Sequence, residues 1–179
     1  MIYEFTSTSK VTFPGSGIAA ISASKANLDF IKKQMTIQTI GHDKLNQLRH
    51  SEFFGDFNGM LEHMKKHAAV LRPKFETVLN ILDSELSQTG VATWTNPKGG
   101  YFIALDTMDG CAKKVVSMCA DAGVTLTGAG ATYPYGKDPK DSNIRIAPTY
   151  PSNDELALAC KILTICVKLA SIEKILECK

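Results

Sequence analysis

The sequence has almost no excess charge and no long apolar run, and each absence excludes a class of partner. Lys and Arg total 20 of the 179 residues against 18 Asp and Glu, which gives a formal net charge of +2. So small an excess gives no reason to expect nucleic acid or an anionic membrane as a partner. No stretch approaches the roughly 18 consecutive apolar residues of a membrane-spanning helix. The first residues lack the basic and apolar regions of a signal peptide, so a cytoplasmic protein is predicted.

Disulfide and metal-binding patterns are also missing. The five cysteines are odd in number and no two of them form a CxxC pair. Small buried thiols in a reducing compartment are therefore predicted, ahead of a disulfide frame or a metal site. His63 and His67 stand four residues apart on a predicted helix, but no carboxylate or cysteine is placed to join them, which favours a solvated helix face. The cysteines are Cys111, Cys119, Cys160, Cys166 and Cys178.

Apolar periodicity predicts an α+β unit from about residue 58 onward. Residues 58–87 repeat apolar side chains at three- and four-residue steps, which predicts a helix with a kink near Pro73 or two helices end to end. Ser152 and Glu155 form a capping box that begins the last helix. The element order predicts helices packed on one side of a small, mostly antiparallel sheet. The strands are predicted at 91–94, 101–105, 124–127 and 143–147.

The first 40 residues do not fit that unit. Residues 2–5 and 18–22 predict strands, the second of them buried, and Ser24 is placed to cap a helix that ends near residue 35. Two strands and one helix cannot bury their own apolar faces. The segment is therefore expected to belong to a larger domain, and a domain boundary is predicted between residues 41 and 42.

One segment carries residue types suited to binding a phosphate and a carbonyl. Ser7, Thr8 and Ser9 place three hydroxyls beside Lys10, shortly before a turn rich in glycine and proline. Hydroxyls and backbone N–H groups in a turn form an anion cradle. A lysine beside such a cradle can form an imine with a carbonyl cofactor that carries a phosphate. The same residues also fit a surface loop with an ordinary lysine.

Two further features stand out near the middle and end of the chain. Arg145 is one of only three arginines and lies between apolar residues in a predicted strand. Guanidinium binds carboxylate through two parallel hydrogen bonds, so its partner is predicted to be a protein aspartate or a substrate carboxylate. Gly99 and Gly100, in the hairpin at 96–102, let backbone approach a ligand or adopt a positive φ, which an ordinary hairpin turn also requires.

Three motifs, in this order and spacing, resemble the C-terminal half of the pyridoxal-phosphate aminotransferases of fold type I (class I/II, the aspartate aminotransferase fold). The run Gln38–His50 looks closest to a bacterial subgroup of aspartate aminotransferases or MocR-like aminotransferases. The resemblance implies a PLP-transferase-like α/β fold, of which this chain would supply mainly the α+β small domain. The motifs are Ser7-x-Ser9-Lys10 with the turn Pro14-Gly15, then Asn96-Pro-Lys-Gly-Gly-Tyr-Phe102, and last Asn143-Ile-Arg-Ile-Ala147.

The resemblance also implies roles for individual residues. Lys10 would form the Schiff base with pyridoxal 5'-phosphate and move the proton between the substrate and the cofactor. Ser7 would donate a hydrogen bond to the cofactor phosphate, with help from Ser9. Arg145 would bind the substrate α-carboxylate, and the backbone of Gly100 would line the pocket. The implied substrates are an amino acid, with aspartate as the expected donor, and a 2-oxo acid, and the implied full-length form is a homodimer.

The chain departs from the family pattern at one position and in extent. Many members carry a phosphate-binding arginine shortly after the Pro-Gly turn, where this chain has Gly17, so Ser16 or another hydroxyl would have to substitute. Residues 1–41 would be a remnant of the large cofactor-binding domain and residues 42–179 the small domain. Without the N-terminal half the chain is expected to be inactive. The alternatives are a non-catalytic structural or interaction module, and part of a PLP-sensing transcription regulator.

Overall fold

The computed structural model describes residues 2–13 and 15–177, and the chain divides into two compact units, residues 1–69 and 70–179. The predicted boundary between residues 41 and 42 concerns the domains of a larger protein and stays a prediction. The elements are, in chain order, β1 (Tyr3–Ser7), β2 (Ala19–Ala23), α1 (Lys25–Gln38), α2 (Lys44–Phe54), α3 (Phe57–Leu86), β3 (Ala92–Trp94), β4 (Ile103–Thr107), α4 (Ala112–Asp121), β5 (Asn143–Ile146) and α5 (Asn153–Glu177).

The first unit contains an antiparallel hairpin and helices with capped N-termini. Strands β1 and β2 pair with Ser7 opposite Ala19. The Ser24 side chain accepts a hydrogen bond from the Asn27 backbone at the start of α1, as the sequence predicted. Residues 19–23 are exposed or half-buried, so the expectation of a buried strand is wrong. A sheet of two strands has no second layer to cover it, which is why the segment cannot bury itself.

The second unit is the predicted α+β arrangement. Strands β3, β4 and β5 form an antiparallel sheet in which Ile103 pairs with Ile146 and Leu105 with Ile144. The Ser152 hydroxyl accepts a hydrogen bond from the Glu155 backbone N–H, and the Glu155 carboxylate accepts one from the Ser152 backbone N–H, which confirms the capping box. The sheet and helices α3, α4 and α5 share a buried apolar core, which includes Val78, Leu82, Leu86, Val115, Leu156, Leu163 and Val167.

One strand predicted for this unit is absent, and one of two alternatives is settled for its long helix. Residues 124–127 form no strand, because the Val124 backbone N–H bonds the Cys119 carbonyl at the end of α4 and the segment joins no ladder. Helix α3 runs through Pro73 as one helix, so of the two predicted alternatives the pair of helices end to end is not found, and the kink near Pro73 stays a prediction. Proline inside a helix costs about 3 kcal/mol, and the burial of Val78 and Leu82 on the following turns opposes that cost.

The predicted buried thiols are present wherever the structure describes a cysteine. Cys111, Cys119, Cys160 and Cys166 are free and buried, while Cys178 lies outside the described residues. Within residues 2–13 and 15–177, no three His, Cys, Asp or Glu side chains are grouped to hold a metal ion. No helix in that part of the chain is both long and apolar enough to cross a membrane.

Candidate functional site

Lys10 lies at the centre of a single turn between the paired strands β1 and β2. The hairpin continues past β1 through a 2.8 Å hydrogen bond from the Thr8 backbone N–H to the Ile18 carbonyl. The backbone N–H groups of Val11 and Thr12 then both donate to the Thr8 carbonyl, at 2.8 and 3.0 Å. These two bonds close a turn around Lys10, which is exposed.

Two hydroxyls stand beside this turn, as the sequence motif predicted. The Oγ atoms of Ser7 and Ser9 are 2.6 Å apart, and the Ser9 backbone N–H donates to Ser7 Oγ at 3.2 Å. Both side chains are exposed, so their hydroxyls are free to turn toward a bound anion. Gly15 has φ +75°, a conformation that favours glycine, whereas Pro14 of the predicted Pro-Gly turn lies outside the described residues.

Gly17 occupies a position where the backbone leaves no room for a side chain. A Cβ atom at this residue would lie 2.7 Å from Ser9 Oγ and 2.9 Å from both the N and the Cα of Ser9. Real Cβ atoms essentially never approach other atoms so closely. The chain therefore cannot accept an arginine at Gly17 without moving Ser9, which gives a physical reason for the departure from the family pattern.

Helix α2 holds the Lys10 loop through two side chains on one face. His50, only 3% exposed, places Nε2 at 2.8 Å from Thr12 Oγ1 and at 3.2 Å from Thr8 Oγ1. Its Nδ1 lies 2.8 Å from the Asn46 carbonyl. The amide of Asn46 donates to the Ser16 carbonyl at 2.8 Å. One helix face thus bonds both arms of the loop.

Sequence reasoning missed this role of His50. The histidine is 42 residues from Thr8 and 38 from Thr12, so no local pattern joins them. The available signal was the spacing of Thr8 and Thr12 on either side of Lys10, because hydroxyls four residues apart face the same way in a helical turn.

Arg145 lies in β5 between two buried isoleucines, as its alternation predicted. The guanidinium carbon sits 4.5 Å from the centroid of the Phe102 ring, a cation–π contact. Nε is buried and has no hydrogen-bond partner among the described residues, and no carboxylate there forms a salt bridge with the side chain. The predicted protein-aspartate partner is therefore not found in the described part of the chain. The side chain lines a cavity of about 140 Å³, most of whose other walls are apolar.

The hairpin between β3 and β4 supplies the aromatic ring under Arg145. Sequence reasoning singled out Gly100 and did not assign a role to Phe102. Gly100 has φ +89°, and no atom lies within 4 Å of the place that a Cβ would take, so its conformation rather than its packing requires glycine. The signal for Phe102 was its place at the end of the hairpin, where the next residue, Ile103, pairs with Ile146 beside Arg145.

An aspartate organises the backbone that leads into the arginine strand. The Asp138 carboxylate accepts hydrogen bonds from the backbone N–H groups of Ser142 and Asn143, both at 2.8 Å, and of Lys140 at 2.9 Å. The bond from Asn143 is the largest cause that holds the pKa of the Asp138 carboxyl below its ordinary value of 3.8. Asp138 thereby fixes the start of β5, two residues before Arg145.

The structure thus gathers the predicted site residues into two groups. Ser7, at the end of β1, adjoins the turn that contains Ser9 and Lys10 in the first unit, and Gly100 and Arg145 belong to the second unit. The first group combines an amine with hydroxyls, which suits a phosphorylated carbonyl compound. The second presents a cation with an unpartnered donor, which suits a carboxylate.

Comparison with known proteins gives consistent matches over the whole chain. A family model described as "Aspartate amino-transferase" matches residues 1–179. An aspartate aminotransferase of Corynebacterium glutamicum is 46% identical over 171 residues, which are 96% of this chain and 40% of that protein. The crystal structure of an aspartate transaminase from the same organism superposes with a TM-score of 0.93 at 46% identity, covering 96% of this chain and 41% of that one.

A regulator is also similar, at lower identity. An HTH-type transcriptional regulator of Bacillus subtilis, YdfD, is 25% identical over 162 residues, which are 90% of this chain and 32% of that protein. The chain spans about 40% of the length of the curated aminotransferase it matches. The family model, the identity and the fold agree, and the chain belongs to the aspartate aminotransferase family.

Proposed function

We propose that this chain is part of a pyridoxal-phosphate-dependent aminotransferase that moves an amino group from an amino acid, with aspartate as the expected donor, to a 2-oxo acid. The observation that carries the proposal is the Lys10 turn, in which the exposed Lys10 directly follows Ser9, whose hydroxyl lies 2.6 Å from that of Ser7. Homodimer formation, a cytoplasmic location and the MocR-like subgroup belong to the same proposal for the whole protein.

The residues of the first unit fit this cofactor. Ser7 and Ser9 hold hydroxyls 2.6 Å apart that can donate to a phosphate, and the close approach of Gly17 to Ser9 keeps that pair in place. When bound, pyridoxal phosphate supplies the aldehyde carbon and the electron-withdrawing ring of amino-group transfer. Lys10 Nζ is the amine of this turn that can attack a carbonyl carbon and, once released, carry a proton from the substrate Cα.

Arg145 fits the group that amino acids and 2-oxo acids share. Both substrate classes carry an α-carboxylate, which guanidinium binds through two parallel hydrogen bonds. The buried Nε of Arg145 has no hydrogen-bond partner within the described part of the chain, and a bound carboxylate would supply one. Phe102 supports the guanidinium on one side, so the side chain is oriented before a ligand arrives. Because arginine stays protonated, this recognition needs no change of charge.

The test begins with the cofactor. We expect pyridoxal phosphate, added to the chain and reduced with borohydride, to label Lys10 in a peptide map. Lys10→Ala should lose that label, and Lys25→Ala, a neighbouring lysine on α1, should keep it. Label spread over surface lysines in the unmodified chain would count against the proposal and favour a non-catalytic module.

Activity is tested in a chimera in which this chain replaces the matching 40% of the Corynebacterium glutamicum relative. Aspartate and 2-oxoglutarate should be converted by the chimera and not by its Lys10→Ala variant. The similarity to a regulator supplies the second candidate function, a domain that binds the cofactor without turnover. A chimera with labelled Lys10 and no transamination of any amino acid would support that second function.

A further inference from the structure

We propose that His50 is the positioning residue for Lys10, which makes α2 a functional part of the cofactor site; this inference rests on the proposed function. Lys10 itself is exposed, so the burial of its own side chain does not fix the direction of its amine. The backbone of the turn sets where the Lys10 side chain begins, and the buried His50 imidazole of α2 contacts the hydroxyls of the two threonines that bound this turn.

The hydrogen-bond roles at His50 follow from its partners. The Asn46 carbonyl can only accept, so Nδ1 carries a proton and donates to it at 2.8 Å. In the neutral ring, Nε2 then has only a lone pair, so the Thr12 hydroxyl donates its one proton to Nε2 at 2.8 Å in place of the longer bond to the Thr8 carbonyl at 3.2 Å. The Thr8 hydroxyl oxygen lies 3.2 Å from His50 Nε2 and accepts a hydrogen bond from the Ile18 backbone N–H at 2.9 Å. It therefore joins His50 to the far arm of the hairpin.

These contacts pin both ends of the turn that contains Lys10. Thr8 and Thr12 begin and end the turn, and the Nε2 atom of His50 lies within hydrogen-bond distance of both hydroxyls. A third contact comes from α3, where His63 Nε2 lies 2.9 Å from the Val11 carbonyl. Lys10 is therefore flanked on both sides by residues whose positions are set by histidines.

Burial makes the His50 contacts more specific than surface hydrogen bonds. His50 is the only buried residue that the structure describes between residues 2 and 69. Its ring packs edge-on against Phe13 at 5.3 Å between centroids. A buried polar group that lost its partners would go unsatisfied, so the turn and the imidazole hold each other in one arrangement.

The test uses three substitutions that separate shape from hydrogen bonding. His50→Phe keeps an aromatic ring against Phe13 and removes both nitrogens. His50→Gln carries an acceptor at about the reach of Nε2. Thr12→Val keeps the shape of the threonine and removes its hydroxyl, which perturbs the same bond from the other end. His42→Leu, an exposed histidine just before α2, is the matched control.

The readouts are the rate of borohydride-trapped labelling at Lys10 by pyridoxal phosphate, and hydrogen exchange at the Val11 and Thr12 amides, measured in the chain and in the chimera. We expect His50→Phe and Thr12→Val to slow labelling of Lys10 by about 10- to 100-fold, as expected when a reacting group is misplaced by about 1 Å. The same two variants should speed amide exchange. His50→Gln should restore most of the labelling rate, and His42→Leu should change neither readout.

The outcomes separate this inference from the proposed function. Unchanged labelling in His50→Phe and Thr12→Val, with Lys10 labelled in the unmodified protein, would overturn the positioning role alone. Equal loss in His50→Phe and His50→Gln, without faster exchange at Val11 and Thr12, would also overturn it. If unmodified protein carried no label on Lys10, the proposed function would fail and this inference with it.

Discussion

In residues 70–179 a buried apolar core surrounds the elements that carry Arg145, whereas in the described part of residues 1–69 the one buried side chain is the polar His50. The strand β5, which carries Arg145, is therefore held by apolar packing of its isoleucines in addition to its sheet hydrogen bonds. The Lys10 turn is held by hydrogen bonds, which depend on distance and angle. The two groups of site residues should therefore respond to different kinds of substitution.

The largest expected effect is on the packed unit. Leu82→Ala removes a fully buried side chain of α3 and should lower the free energy of unfolding by about 2–5 kcal/mol, because the lost contacts leave a cavity. Denaturant unfolding of the variant and the unmodified chain measures this change in the free energy of unfolding. Leu45→Ala, at a side chain 78% exposed in the first unit, is the control and should change little. Similar losses in both variants would remove the contrast between the units.

The second largest expected effect is on the binding of the substrate carboxylate by Arg145. Arg145→Lys keeps the charge but replaces a planar fork with a single ammonium, so one of two charged hydrogen bonds is lost, at a cost of about 1.5–3 kcal/mol. We expect KM for the amino acid to rise by roughly 10- to 100-fold in the chimera, with the unfolding midpoint unchanged. Arg72→Lys, at an exposed arginine of α3, is the matched control. An unchanged KM would show that the α-carboxylate binds elsewhere.

A smaller effect, on the labelling of Lys10, is expected from a substitution at Gly17 in the first unit. Gly17→Ala places a Cβ within 2.7–2.9 Å of Ser9, which must shift, at a cost of about 1–3 kcal/mol for overpacking. Because Ser9 adjoins Lys10, labelling of Lys10 by pyridoxal phosphate should weaken. Gly41→Ala is the control, since no atom lies within 4 Å of its Cβ position. Equal labelling in the two variants would mean that Ser9 can move without consequence.

The smallest effect is an acid sensitivity of the second unit. The folded-state pKa of Asp138 lies below its ordinary value of 3.8, so its bonds to the Ser142 and Asn143 amides stabilise the fold above pH 3.8. That contribution is lost as the pH falls through the lower, folded-state pKa. Asp138→Asn should make the free energy of unfolding depend less steeply on pH below 3.8, as followed by denaturant unfolding at several pH values. Parallel curves for the two proteins would contradict the prediction.

Much of the fold was predictable because its signals are local. The spacing of Val78, Leu82 and Leu86 gives the buried face of α3, and the pair Ser152 and Glu155 gives the start of α5. The strand predicted at residues 124–127 is absent for a physical reason. An apolar run shows that a segment can form a strand, but a strand exists only where a partner backbone is available to it.

The candidate site was predictable only as far as its motifs reach along the chain. Lys10, with Ser7 and Ser9, and Arg145 stand in recognisable sequence contexts, and their catalytic roles stay predictions. His50 and Phe102 have no such context, since each acts through a contact that the fold creates. His50 meets Thr8 across 42 residues, and Phe102 meets Arg145 across β4, α4 and the long loop that follows α4.

The buried thiols of the second unit have a use that their packing makes possible. Burial raises the pKa of Cys119 and of Cys160 to about 12 each. At pH 8 the reactive thiolate form of each is therefore much rarer than in an ordinary cysteine, and both buried side chains are shielded from reagents. In the unfolded chain both groups return to ordinary acidity and exposure. Brief alkylation followed by mass measurement would therefore time the opening of this unit without any added probe.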